Sequence, residues 1–357
     1  MFKRAMLVVF LGLYISSVFG QGCMEASSDE GVNVVGYIQA QYEYMFQDPD
    51  DNLNEFTFNR VRFGLVGNIP YDFSYYSMFE FSPNKEGAPY LLDGFITYSR
   101  LAPYLKISIG QFKSPFSLEL NTACQGLYTI NRSNVVSNLA IPFRDKGLLM
   151  SGAYKKNLKY AIAMTNGTGL GVAEDNTSKD YLGRIVYSVF PQLNIGGSFA
   201  FRTLLPALEG ASDDDKLKVF AGEIEANFGG FKLQGEYLTG DHESSGGEIV
   251  HSPDCSHPEE WTEELASGTT TKAGFWMQVM YMTDWMIQPV VKYEWYDANT
   301  DEENTSYDNT IKKITTFGIN YFFNDWTRLQ LNYLYKAEEG IFEESNDEIL
   351  MQLQVKF

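Results

Sequence analysis

The 357-residue sequence predicts an all-β fold, a transmembrane antiparallel β-barrel of about sixteen strands. Three observations lead there. Hydrophobicity alternates with period two in segment after segment. The connections between those segments alternate short and long. Beyond the N-terminus, no apolar run reaches the ~18 residues that a membrane helix needs. In lipid no backbone N–H or C=O can go unpaired, so only helices and closed barrels can span it.

The opening residues, MFKRAMLVVFLGLYISSVFGQG, read as a secretory signal over 1–20. Lys3 and Arg4 precede the apolar stretch Ala5–Ile15, and Ser16–Gly20 is a small-residue exit. A lipid anchor would use Cys23, but the residues before it lack the usual Leu. Residues 21–357 then read as one barrel domain.

Sixteen segments alternate well enough to be strands. They are about 34–46, 56–67, 73–81, 91–101, 105–111, 147–154, 158–166, 180–189, 193–202, 218–228, 231–239, 271–282, 286–297, 312–322, 327–335 and 348–357. In the first, Ile38, Ala40, Tyr42 and Tyr44 oppose Gln39, Gln41 and Glu43. In the second, Val61, Phe63 and Leu65 oppose Arg60 and Arg62. In the last, Ile349, Met351, Leu353, Val355 and Phe357 share a face, and the ending on an aromatic residue looks like the assembly signal of bacterial outer-membrane barrels. The short connections, such as Gly229-Gly230 and Phe323–Trp326, carry the Gly, Pro, Asn and Asp of tight turns. The long ones fall at about 47–55, 82–90, 112–146, 167–179, 203–217, 240–270, 298–311 and 336–347. Short turns on one side and long loops on the other are the habit of outer-membrane barrels.

Across the hairpin at Asn324-Asp325, Phe317, Ile319 and Tyr321 share a face with Leu329, Leu331 and Tyr333. In a barrel that face meets lipid, and the Asn, Gln, Arg, Lys and Glu on the other face line a lumen. About sixteen strands leave an aqueous channel. An aromatic content of 15% suits two interfacial girdles. The formal charge of −19 argues against a nucleic-acid partner. Most acidic clusters sit in the long loops.

By parity, Arg60, Arg62, Lys106, Lys159 and Arg184 face inward in the N-terminal half. Glu223, Glu225, Glu236 and Glu294 face inward in the C-terminal half. Two walls of opposite sign would set up a transverse field. The third long loop, 112–146, is the longest and is not acidic. Its Ile130, Val135, Val136, Leu139 and Ile141 suggest that it packs into the barrel. Its Lys113, Arg132, Arg144 and Lys146 are then constriction candidates. The first three are expected to meet glutamates of the opposite wall. Structural pairing with Asp145 and Glu119 stays open as the alternative.

Cys23, Cys124 and Cys255 are too few for a disulfide framework, and a Cys124–Cys255 pair stays open. His242, His251 and His257 share the sixth loop with Cys255, but their spacings match no standard zinc site. No metal or cofactor is expected. No GxSxG or HExxH motif is present, and His242 alone lies near a strand rim, so no enzyme is expected.

The segment Gly110–Glu119, GQFKSPFSLE, resembles the phosphate-selective porin O and P family of Gram-negative outer membranes. So do Arg144-Asp145-Lys146-Gly147, Thr165-Asn166-Gly167, Gln288–Trp295 and Asn320-Tyr321-Phe322. The resemblance implies a sixteen-stranded outer-membrane barrel, often a homotrimer, passing phosphate, other anions or small solutes by diffusion. Strongly anion-selective members carry an inward ladder of Arg and Lys, from which the divided lumen expected here departs. Partners implied are outer-membrane lipid and small inorganic or organic solutes. A structural or adhesive surface barrel and an exported soluble β protein are the alternatives.

Overall fold

The computed structural model describes residues 31–46, 53–139, 141–174, 176–205, 214–245, 247–251, 261–265, 267–301, 311–338 and 345–357. The signal segment, Cys23, Cys255 and His257 lie outside them. Among the described residues no helix is long and apolar enough to cross a membrane.

In chain order the strands are β1 (Gly31–Met45), β2 (Leu53–Ile69), β3 (Phe73–Glu80), β4 (Tyr90–Leu101), β5 (Leu105–Lys113), β6 (Arg144–Tyr154), β7 (Leu158–Thr165), β8 (Asp180–Phe190) and β9 (Leu193–Leu204). There follow β10 (Asp215–Phe228), β11 (Phe231–Ser244), β12 (Gly247–His251), β13 (Trp261–Leu265), β14 (Gly268–Tyr281), β15 (Ile287–Asp297), β16 (Ile311–Phe322), β17 (Thr327–Glu338) and β18 (Glu348–Lys356). All but β12 and β13 join, antiparallel and in sequence order, into one closed sixteen-stranded barrel. The exceptions pair with each other in a separate hairpin. The sixth long connection, read as 240–270, therefore contains a strand pair of its own.

Closure comes from β1 and β18. Tyr37 to Met45 align with Lys356 down to Glu348. Gly36 and Phe357 exchange backbone hydrogen bonds of 3.0 Å each. A closed ladder leaves no edge for lipid to strip of partners, which is the condition for a sheet to cross a bilayer. A side chain at Gly36 would run into the Phe357 ring at 2.9 Å. Phe357 in turn lies 5.3 Å, centroid to centroid, from Phe63.

The period-two pattern sorts as expected. Phe317, Leu331 and Leu353 are about half exposed on the outside, at 52%, 45% and 45%. Asn320, Gln330 and Gln352 are fully buried inside. Several strands reach further at their outer ends than the alternation showed: β2 begins at Leu53, β10 at Asp215 and β14 at Gly268. Above the bilayer the outward face no longer has to be apolar. Pairing continues there while the hydrophobic signal fades.

One expectation fails on the inside. The inner surface is not hydrophilic throughout: Leu149, Leu182, Ala200, Val219 and Leu238, from β6 and β8 to β11, are all fully buried. They belong to one apolar cluster with Phe116, Leu118, Leu120, Val135, Val136, Leu139 and Ile141 of the segment between β5 and β6. The apolar residues of that segment therefore have an apolar patch of wall to pack on. Removing such surface from water stabilises the inserted position by about 25 cal/mol per Å² buried.

Gly110 shows how tightly this region is built. Its φ is +134°, and a Cβ there would collide with the Gly94 carbonyl oxygen of β4. Gly110→Ala is expected to lower barrel stability by at least about 1–3 kcal/mol from backbone strain alone. The readout is the temperature at which purified barrel loses its compact mobility on an unheated SDS gel. An unchanged transition would refute the strain account.

Candidate pore constriction

The segment between β5 and β6 is 114–143, because the two strands run on to Lys113 and start at Arg144. Lys113, Arg144 and Lys146 are therefore strand residues, not loop residues as expected. The segment folds into helix α1 (Leu118–Asn121), a 3-10 turn at Cys124–Gly126 and helix α2 (Asn134–Asn138). Short helices leave their first N–H groups without partners inside the helix. Here carboxylates of the barrel wall and of the loop itself accept them.

Glu236 of β11 takes the start of α1. It accepts from Leu118 N at 2.5 Å, Glu119 N at 3.0 Å and the Ser117 hydroxyl at 2.9 Å. Trp276 Nε1 of β14 donates a fourth bond at 3.0 Å. Glu294 of β15 takes the start of α2, accepting from Asn134 N at 2.6 Å. Glu119 links the two helices, its Oε2 accepting from Ser133 N at 2.7 Å and Ser133 Oγ at 2.6 Å. Between the carboxylates lies Lys292 of β15, fully buried. Its Nζ donates to Glu119 Oε1 at 2.7 Å, stands 3.2 Å from Glu294 Oε1 and sits 5.4 Å from the centre of the Trp276 ring.

The middle of the loop lies on a neutral track. Asn59, Gln352, Gln330, Asn320 and Gln288 pass amide hydrogen bonds of 2.9–3.1 Å from strand to strand. The four from Gln352 to Gln288 sit in register across β18 to β15, and Asn59 reaches Gln352 from β2. Neighbouring amides hold the loop backbone: Asn320 donates to Tyr128 O, Asn332 accepts from Ile130 N and Gln354 donates to Gln125 O. Satisfied amides fix the loop without adding charge to the wall.

The cations take other positions than expected. Arg144 makes a bidentate pair with Asp93 of β4 at 2.9 and 3.2 Å, and meets neither an opposite-wall glutamate nor Asp145. Lys113 donates to Thr122 O at 3.0 Å. Arg132 is held by the carbonyls of Glu119, Leu120 and Thr122, and its guanidinium sits 5.7 Å from the centre of the Phe143 ring. Lys146 reaches away to Val172 O at 2.6 Å. Arg62 pairs with Glu80 at 2.7 Å and donates to the Tyr37 hydroxyl at 2.6 Å, and Arg60 donates to Gln39 Oε1 at 2.8 Å.

The acidic wall is therefore not open. Arg184 grips Glu223 with two bonds of 2.9 and 2.6 Å, and Lys232 stands 3.0 Å from Glu225. Glu236 and Glu294 hold the loop. Luminal carboxylates are used up locally because parity places opposite charges on nearby strands. In water-poor surroundings an unpaired carboxylate is costly.

Among the described residues, Arg60, Lys113, Arg132 and Arg328 have no carboxylate within 4.0 Å. Three of them, with Arg62, surround Cys124, whose sulfur lies 3.3 Å from Arg62 Nη1 and 3.5 Å from Arg132 Nη1. Burial pushes the Cys124 thiol up, but Arg132, Arg60, Arg62 and Lys113 together hold it well below the usual thiol range. Even with the thiol ionised, the guanidiniums of Arg60, Arg62 and Arg132 outnumber it and Glu80, so the cluster is positive. Lys106, Lys159, Lys232 and Arg328 are the second residues of β5, β7, β11 and β17, each rising from a short turn. Basic groups thus recur at the turn-side mouth.

Lys292, Glu80, Asp93, Lys232 and Arg328 were absent from the sequence-derived set. The inward pair Lys292 and Glu294, two apart on one strand, was a readable signal. Lys232 and Arg328 were obscured by their nearness to turns.

Comparison with known proteins agrees with this geometry. No curated relative matches the chain. Among solved structures, the fold is similar to an anion-selective porin from Comamonas acidovorans, at 12% identity over 92% of this chain and 100% of that one, TM-score 0.64. It is also similar to the outer membrane channel DcaP of Acinetobacter baumannii, at 12% identity over 94% and 99%, TM-score 0.63. The trimer form of OmpT of Vibrio cholerae aligns at 13% identity over 92% and 100%, TM-score 0.57. The family model for phosphate-selective porin O and P matches residues 32–211, half of the chain. With the closed barrel and the inserted loop, that match makes the chain a member of the phosphate-selective porin O and P family, an outer-membrane porin.

Proposed function

We propose that the protein is a passive diffusion channel that prefers small anions, phosphate among them. The observation that carries this reading is the imbalance of partners in the lumen. Glu80, Asp93, Glu223 and Glu225 each meet a cation of their own, and Glu119 and Glu294 share Lys292. Glu236 is filled by loop donors and Trp276. Arg60, Lys113, Arg132 and Arg328 meet no carboxylate. Arg60 and Arg132 keep part of their surface exposed. A lining whose net sign is positive raises the local concentration of anions and repels cations. The net acidity of the chain does not oppose this, because charge beyond a Debye length of about 8 Å is screened at physiological salt.

The basic residues at the turn-side mouth support the same preference. The trimer form of OmpT of Vibrio cholerae, a structural neighbour, supports a homotrimer for this chain as well. The signal segment at 1–20 supports export, with the short turns facing the periplasm.

The test is the reversal potential of purified protein in a planar bilayer under a KCl gradient. Stepwise conductance with a reversal potential on the chloride side of zero is expected. A cation-side potential would overturn the anion preference, and absence of steps would overturn the channel itself.

A further inference from the structure

A cavity of about 460 Å³ opens at the outer ends of three strands. The return leg of the inserted loop, leading into β6, forms one side. The segment after β7 forms the second, and Arg202, near the outer end of β9, the third. The volume falls within the range of small-molecule sites, roughly 300–1,000 Å³. None of the pore contacts described above explains it.

We propose that this cavity binds a small aromatic carboxylate. Its lining is mostly apolar: Ile141, Pro142, Phe143 and Leu170. Its charged groups are two guanidiniums, Arg144 and Arg202. Asp93 grips Arg144 by Nε and Nη2. Asp180 accepts from Arg202 Nε at 2.7 Å, and the Gly167 carbonyl accepts from its Nη2 at 2.8 Å. Each side chain is thereby fixed before any ligand arrives, and the ordering cost of binding falls.

The backbone is shaped for this. Gly167 has φ +96°, and a Cβ there would stand 2.9 Å from the Asp180 carboxyl that holds Arg202. Gly169 has φ +85°, a backbone conformation that L side chains rarely adopt. Gly167 thus keeps the cavity wall close to the carboxylate that orients Arg202.

The mixture of groups selects the ligand class. A small inorganic oxyanion would give up water against Ile141, Pro142 and Leu170 without gaining enough donors. A neutral hydrocarbon would desolvate two guanidiniums and return nothing. A flat ring with one carboxylate suits both, since guanidinium stacks on aromatic faces while it donates in-plane to a carboxylate. This deepens the channel reading by naming a solute class that the outer mouth retains before passage.

The test is binding, not current, so it stands apart from the bilayer experiment. Folded full-length protein in detergent is dialysed to equilibrium against radiolabelled benzoate, with Thr168→Trp in parallel. Saturable uptake is expected, displaced by unlabelled toluate but not by acetate. Thr168→Trp is expected to weaken it by about tenfold or more, because an indole there takes up the space a ligand ring needs. No saturable uptake, equal displacement by acetate or undiminished uptake by Thr168→Trp would each overturn the site. Conductance in KCl decides the channel reading separately.

Discussion

Lys292→Met is expected to release the inserted loop and turn a steady channel into a noisy, larger one. Lys292 is fully buried and is the one cation in contact with both Glu119 and Glu294. Met keeps the length of the side chain but leaves two carboxylates facing each other in a water-poor space. Removing one partner of a buried ion pair costs about 3–5 kcal/mol. That is comparable to what holds a loop of two short helices in place. Glu119 cannot simply rotate away, because its other oxygen holds Ser133 at the start of α2. The strain is relieved by water entering, which means the loop lifts off the wall.

Single-channel recordings should show frequent steps above the wild-type level. Excision of 115–142, with a short Gly-Ser link, sets the upper limit: conductance rises by about three- to fivefold, since a sixteen-stranded barrel without its insertion leaves an aqueous channel. Steps of unchanged size and noise in both variants would show that the loop does not set the constriction. Unheated SDS gels establish that each variant still forms a barrel.

Arg60→Glu is expected to move the reversal potential to near zero, abolishing most of the anion preference. Arg60 is half-buried on β2 and, among the described residues, donates one hydrogen bond, to Gln39. The change swings the local charge by two units beside Arg62, Arg132 and Cys124. At about 4 Å and an effective dielectric near 20, one unit charge is worth about 4 kcal/mol, so a swing of two units cancels most of the local surplus. Arg60→Gln, which only removes the charge, should fall between the two. Anion preference unchanged in Arg60→Glu would place the ion path away from β2.

The amide track explains why that charge is felt. Asn59, Gln352, Gln330, Asn320 and Gln288 bind the loop without contributing charge. On the proposed reading, the remaining guanidinium and ammonium groups then set the sign of the lumen. The acidic wall expected in the C-terminal half is weakened by local pairing. Glu223 and Glu225 are matched on their own side by Arg184 and Lys232.

Period-two alternation, strand by strand, was enough to determine the barrel. Lipid demands an apolar residue at every second position of every crossing, so the constraint is local and repeats along the chain. Phe317, Leu331 and Leu353 stand outside for that reason. Ile130, Val135 and Ile141 marked the inserted loop, because apolar residues in an outer connection need something to cover them. The partners of the charged residues were not legible. Lys292 meets Glu119 across 173 positions and Asn332 meets Ile130 across 202. Such meetings depend on barrel shear and on where the loop comes to rest, and neither leaves a periodic trace in the chain. The tertiary structure alone decided which cations stay uncompensated, because in a closed barrel a side chain's neighbours come from whichever strands curvature brings round to it.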